Sequence, residues 1–396
     1  MYLKQTPDSW SDRYGDVALI DLGASRAARR PREEGLIRVE LPGLGQGWQC
    51  SDYADVRQIL TDARFDVKPP DCVPSAKDSA EPSGGRLSTA RLTNVAMAGM
   101  KPRRIERLRP ETERTASELL VRLAGTPQPA DLMAGFVKPL ASSLLCELLQ
   151  IPDGGREPMR AMLLSAATTG NPLPDAAKRD QKALTRCLAA LLTARAAGTG
   201  DDLLSAMVRV RGEGEDRLDD GQLVSVAFRL LIPGLQNMVL MTANVLRTLL
   251  RHPQDLDRLA SRPESVPSAV EELIRVTPLA STASFPRYAV RDAQIAGTPV
   301  RRGDLVVGSL AAANHDPRVF ADPRRFDIER GENAHLTFGM GAHYCPGAGL
   351  ARMQIQVAVE VLARQPGGVR EAVPGGLGEA ATVGWDDTLS VRWPVG

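Results

Sequence analysis

Nothing in this chain divides it. Its 396 residues contain no Gly/Ser linker and no block of like charge, so the sequence predicts one large domain over 1–396, although the length alone would favour two or three. Charge imbalance is missing as well. A net charge of +1 with 24% charged residues gives no global attraction to nucleic acid or to an acidic partner, and no nucleic-acid partner is expected. Paired cysteines are absent. Cys50, Cys72, Cys146, Cys187 and Cys345 stand far apart, which argues against a zinc site and a disulfide framework and fits a reducing cytoplasm. The opening residues, Met1-Tyr-Leu-Lys-Gln-Thr-Pro-Asp8, hold no apolar h-region and no membrane anchor. A cytoplasmic protein without a membrane partner is therefore expected.

What is present concentrates in one stretch, 335–347, read as a loop running into an apolar helix over 348–362. The loop is His335-Leu-Thr-Phe-Gly-Met-Gly-Ala-His-Tyr-Cys-Pro-Gly347. Gly339 and Gly341 admit backbone angles and close approaches that a Cβ would forbid, so the loop can fold tightly against a flat group. Pro346 lacks an N–H and suits the first turn of a helix. A thiolate there is stabilised by free amides and the helix dipole, which equips Cys345 as an anion and hence as a metal ligand. A buried, inert cysteine is the plain alternative.

The spacing Phe338-Gly339-x-Gly341-x-His343-x-Cys345-x-Gly347 resembles the haem-binding loop of the cytochrome P-450 superfamily at every signature position. That resemblance implies a mainly α fold with small β-sheets (α+β), in which haem b lies between a long central helix and the cysteine loop. It makes the Cys345 thiolate the axial ligand of the haem iron, with Phe338, Gly339 and Gly347 shaping the cofactor site. It also implies the soluble bacterial branch, a monomer that takes electrons from NAD(P)H through a ferredoxin or flavodoxin-like partner and uses O2.

Other segments agree with it. Residues 36–50 alternate and turn like a hairpin, and 52–61 reads as a short helix with Ser51 as a possible N-cap. Residues 66–88 turn to Pro, Ser, Asp and Gly without periodicity, a long loop that the resemblance places over the substrate. Residues 101–110 resemble the end of one family helix and the start of the next. Residues 111–123, 131–149, 156–169 and 176–197 carry helical apolar spacing. The run 221–250 is long enough to span a bilayer, yet Arg229, Gln236, Asn237 and Asn244 would be costly in lipid; a helix threading a globular core is expected, at the position of the family's I helix. On the helix over 265–276, Glu272 and Arg275 share a face and resemble the family's structural pair, with Arg330 as third member. Short alternating strands are expected within 283–310.

Haem carboxylates need cationic or N–H partners, and the resemblance offers Arg287 and His343. It departs upstream: Thr89 and Thr93 stand where the family has His and Arg, leaving Arg86 or Arg91 to compensate.

The distal side also departs. The family's Ala-Gly-x-Asp/Glu-Thr becomes Pro233-Gly234-Leu235-Gln236-Asn237, and amides hold water without readily exchanging protons. Catalysis is assigned by position to Gly234, Gln236 and Asn237, with protons arriving through ordered water or a polar group of the substrate. Pro233 should kink its helix, and Gly234 admits close approach to the iron. Substrate contacts follow by family position from the 66–88 loop, Leu230, Pro233, Ala280, Ser281, Thr282 and Ala283, and from the turn 382–388, where Trp385 either stacks on substrate or packs in the core. The expected activity is oxidation of a small organic molecule in secondary metabolism. Oxidative C–C or C–N coupling without oxygen insertion, and a haem or ligand-binding homologue without turnover, are the alternatives.

Overall fold

The computed structural model describes residues 35–41, 44–67, 69–70, 89–168, 172–212, 217–277, 286–365, 368–372 and 382–393, with the side chains of 89–92 excepted. The loop over 71–88, Arg86 and the substrate candidates Ala280, Ser281, Thr282 and Ala283 lie outside those residues.

In chain order the elements are β1 (Ile37–Leu41), β2 (Gly45–Cys50), α1 (Tyr53–Thr61), β3 (Phe65–Asp66), α2 (Thr89–Gly99), α3 (Pro102–Ala124), β4 (Ala130–Asp131), α4 (Lys138–Leu148), α5 (Asp153–Ala166) and α6 (Asp175–Ala194). Then come α7 (Leu203–Arg209), α8 (Asp220–Leu250), α9 (Pro253–Ser261), α10 (Val266–Val276), β5 (Arg287–Ala289), β6 (Ala293–Ile295), β7 (Thr298–Val300), β8 (Leu305–Gly308), α11 (Leu310–Ala313), α12 (Ala348–Ala363), β9 (Arg370–Glu371) and β10 (Ser390–Arg392). These fall into two compact units.

The sheet-bearing unit, built from the described residues up to 70 with 274–327 and 331–345, is organised on a five-stranded sheet ordered β1-β2-β8-β5-β3. The expected hairpin forms with Ile37 opposite Gln49 and Leu41 opposite Gly45. Next to it, β2 and β8 run parallel. Helix α1 covers the sheet through Val56 and Ile59, which share an apolar cluster with Val306, Leu310, Phe320 and Leu336. Because Leu336 is 0% exposed within that cluster, the start of the cysteine loop is pinned by the core itself. The cap of α1 is Asp52, not Ser51, and its side chain makes no capping bond.

The helical unit, residues 87–273, 328–330 and 346–396, surrounds α8, which packs against α2, α4, α5, α6, α7, α9 and α12. An N-terminal capping box starts α8: the Asp219 carboxylate accepts from the Gln222 amide at 2.7 Å, and Gln222 Oε1 accepts from the Asp219 amide at 2.9 Å. From Met241 to Arg247 every residue is buried, polar ones included: Asn244 Nδ2 donates to Leu240 O at 2.7 Å and Val383 O at 3.1 Å, and Thr242 Oγ1 accepts from Gln354 Nε2 at 2.8 Å. Although α8 is long and apolar enough to cross a membrane, half of its most apolar window is buried inside the fold.

Three boundaries differ from expectation. Helix α3 begins at Pro102 and runs through Pro110 without ending, because proline at its first position costs no hydrogen bond and the helix tolerates one missing N–H further on. The stretch 131–149 is not one helix: Asp131 belongs to β4, paired with β10, and its carboxylate accepts from Met133 N at 2.9 Å and Leu389 N at 3.3 Å. A π-helical turn, Met133–Val137, then leads into α4. Helices α7 and α9 are short and are not marked by the sequence; α7 starts on the buried Asp202, whose carboxylate accepts from Leu204 N and Ser205 N.

Candidate functional site

In the sheet-bearing unit the cysteine loop is closed by its own backbone. Gly339 N donates to Leu336 O at 2.8 Å, Tyr344 N to Gly341 O at 3.1 Å and Cys345 N to Phe338 O at 2.9 Å. A single 3₁₀ turn, Gly341–His343, lies inside it. Gly339 and Gly341 both have positive φ, +72° and +74°, the left-handed region that other residues pay to enter. The two differ in their surroundings. A Cβ on Gly341 would stand 2.7 Å from Leu60 O, while one on Gly339 meets nothing closer than 3.7 Å. Gly341 therefore lets the loop lie on the end of α1, and Gly339 is free on its side-chain face. Cys345 is half-buried and in no disulfide.

Asn314 is a residue of this site that the sequence did not single out. It donates through Nδ2 to Thr337 Oγ1 at 2.8 Å and accepts from Leu336 N through Oδ1 at 2.7 Å, while Thr337 Oγ1 also donates to Ile274 O at 3.2 Å. Two side-chain atoms of one 3%-exposed asparagine thus hold the first residues of the loop. The spacing of the Asn314-His-Asp-Pro317 run assigns it no partner. Tyr53 adds a second tie, donating its hydroxyl to Ala334 O at 2.7 Å.

Arg287 begins β5 and is 4% exposed. Burial lowers its pKa, and the Asp66 carboxylate opposes that. His343 is held below the usual imidazole range, first by burial and then by the positive field of Arg287, again with Asp66 opposing. Arg287, His343 and Asp66 therefore stand within one another's electrostatic reach. Asp66 reaches the group through β3, whose pairing with β5 sets Asp66 opposite Tyr288; the sequence reading left it at the edge of a loop.

The structural pair resolves into two anchors. Within the helical unit Glu272, 0% exposed, accepts from Arg330 Nε at 3.0 Å. Within the sheet-bearing unit Arg275, 1% exposed, donates through Nη1 to Asn314 O and Pro323 O, both at 2.8 Å, and its guanidinium lies 5.1 Å from the Phe320 ring centroid. Both serve packing, as expected of them.

On α8 the polar residues separate sharply. Arg229, Pro233 and Asn237 are exposed at i, i+4 and i+8, with Leu230 and Gly234 partly exposed beside them; these spacings share one face. A Cβ on Gly234 would meet nothing within 4 Å. Asn237 makes no side-chain hydrogen bond among the described residues. Gln236 does: its Nε2 donates to Ala167 O at 2.7 Å. Helix α8 continues through Pro233. Trp385 is 8% exposed with the Lys138 ammonium 5.2 Å from its ring centroid, an arrangement that favours its packing role. Thr93 is partly buried on α2.

Residues 264–364 match the family model described as Cytochrome P450. The chain is 36% identical over 367 residues to the mycinamicin IV hydroxylase/epoxidase of Micromonospora griseorubida, covering 90% of this chain and 91% of that one. It is 34% identical over 374 residues to the nocardicin C N-oxygenase of Nocardia uniformis subsp. tsuyamanensis, covering 92% and 93%. The chain belongs to the cytochrome P-450 superfamily. The solved LnmA cytochrome P-450 hydroxylase from the leinamycin biosynthetic pathway of Streptomyces atroolivaceus superposes with a TM-score of 0.78 at 30% identity, over 99% of both chains. The mainly helical fold with small sheets is thus the family's own, and the chain is an oxidoreductase of the monooxygenase type. Membership carries with it haem, dioxygen, reducing equivalents from a redox partner and a small-molecule substrate.

Proposed function

We propose that this protein is a cytoplasmic haem-thiolate monooxygenase that oxidises a small organic molecule as a tailoring step in secondary-metabolite biosynthesis, drawing electrons from NAD(P)H through a ferredoxin or flavodoxin-like donor. The observation that carries this reading is Cys345, a half-buried thiol outside any disulfide at the close of a loop held by backbone bonds, Asn314 and the end of α1.

The residues present fit haem b. Cys345 would be the axial ligand, and Arg287 with His343 would receive propionate. A cation as buried as Arg287 is costly unless carboxylates balance it; the Asp66 field already does so in part, Arg287 in turn depresses His343, and a propionate within reach of both would favour the charged form of each. Haem iron, once bound, would supply activation of dioxygen. The open face of α8 is the part of this chain that would meet substrate: Gly234 leaves room, Leu230 and Pro233 give apolar contact, and the amide at Asn237 can hold a water or a polar substrate group. Neither amide can act as a general acid near neutral pH, so protons would come along held water or from the substrate itself. The activities named for the relatives, on mycinamicin and nocardicin, support a small secondary metabolite as the substrate class.

Two measurements test the reading. The reduced carbon monoxide complex of freshly purified, haem-replete protein should show the strongly red-shifted Soret band of thiolate ligation. A metabolite-library screen followed by mass spectrometry should yield an oxidised product only when reductant and dioxygen are supplied. A haem-replete protein without that band would remove Cys345 as ligand.

A further inference from the structure

The two amides that stand where the family carries an acid and an alcohol do not share one role. We infer that Gln236 is a positioning residue that braces α8 against the end of α5, and that Asn237 alone of the pair faces the bound ligand. This deepens the reading of a distal face on α8 and rests on it.

The argument starts from Pro233. Proline has no N–H, so the carbonyl of Arg229, four residues back, loses its helical donor. The turn at Pro233 thus lacks one helical N–H donor, yet the helix runs unbroken from Asp220 to Leu250. One turn beyond the proline, Gln236 Nε2 reaches 69 residues back in sequence to Ala167 O at 2.7 Å. Ala167 is the C-terminal cap of α5. Its carbonyl is among the last of that helix, which have no partner inside it and sit at the negative end of its dipole. A primary amide is the right donor for that position. It ties the proline-bearing turn of α8 to a second helix, and it satisfies an acceptor at the end of α5 that has no partner within that helix.

Asn237 is the reverse case: it is exposed, on the stripe with Arg229 and Pro233, and makes no side-chain hydrogen bond among the described residues. Its amide retains both donor and acceptor for a ligand.

The assignment has a consequence of definite sign. A carboxylate at position 236 would set negative oxygens against the Ala167 carbonyl, and only its protonated form could donate there. Gln236→Glu should therefore have a carboxyl pKa raised in the folded state. A raised carboxyl pKa penalises folding above the unfolded-state value, so the stability deficit of this variant relative to wild type should be present at neutral pH and shrink as pH falls. Gln236→Met, which keeps the volume and loses the donor, should show a deficit that does not vary with pH.

Haem-loaded wild type, Gln236→Glu, Gln236→Met and Asn237→Ala would be melted across mildly acidic to neutral pH. The C–O stretch of their ferrous carbon monoxide complexes would then be recorded by infrared spectroscopy. The expected results are a pH-dependent deficit in Gln236→Glu alone and a shifted C–O stretch in Asn237→Ala but not in Gln236→Met. A Gln236→Glu deficit that is absent, or that grows on acidification, would overturn the brace. A C–O shift in Gln236→Met as large as in Asn237→Ala, or none in Asn237→Ala, would overturn the division of roles. The Soret band of the same wild-type complex reports separately on the thiolate ligand, so failure of the haem assignment is distinguishable from failure of this one.

Discussion

Cys345 differs in environment from Cys50 and Cys146. Cys50 and Cys146 are buried, and burial holds both thiols protonated, pushing Cys146 up to about 12 and Cys50 further. Neither should react with iodoacetamide at pH 8 in the folded protein, and both should become reactive on unfolding, which peptide mapping would detect. Cys345→His should abolish the red-shifted carbon monoxide band while the protein still folds by circular dichroism. Arg287→Ala removes a buried charge-assisted donor, a loss of about 1.5–3 kcal/mol. Haem retention should then weaken by about tenfold to a hundredfold, measured as haem transfer to an acceptor globin; unchanged transfer would mean that Arg287 does not hold propionate.

At the scale of elements, the cysteine loop is positioned by neighbours that its motif does not mention. Gly341→Ala would combine a positive φ of +74° with a Cβ 2.7 Å from the Leu60 carbonyl. Left-handed backbone alone costs roughly 1–2 kcal/mol for a residue with a Cβ, so the melting temperature should fall, and by more than for Gly339→Ala, whose surroundings are open. Helix α10 makes a second case. Glu272 is fully buried against Arg330, and breaking a buried pair by removing one member costs about 3–5 kcal/mol. Glu272→Ala should be strongly destabilised in urea, and the double variant Glu272→Ala with Arg330→Met should recover part of the loss. Additivity of the two single losses would refute the pairing.

For the whole molecule, a group that binds only the native state stabilises it by mass action. Haem at a thousandfold excess over its dissociation constant would contribute about 4 kcal/mol. Haem-replete protein should melt well above haem-depleted protein, and the difference should narrow in Arg287→Ala. Equal melting temperatures would place the cofactor outside the cooperative fold.

Much of this was legible in the chain. The ten-residue loop motif marked Cys345, Gly339 and Gly341, because a thiol ligand on a tight turn leaves few residue choices at each step. The long, mostly apolar run set α8 within a residue of its ends, since a helix that threads a core must be apolar over most of its surface. Local signals failed where partners are remote. No period distinguishes Asp131 in a strand from Asp131 in a helix; β10, more than 250 residues away, decides it. Gly341 was legible as a glycine, but its neighbour Leu60 was not. Gln236 and Asn237 are adjacent and chemically alike in sequence, and only the fold separates them, because a 100° step around α8 turns one towards the carbonyl of Ala167 and the other to the open face. Composition and spacing decide which backbone can form and which side chains can do chemistry; which of those side chains are occupied by the protein itself depends on contacts between segments far apart in the chain.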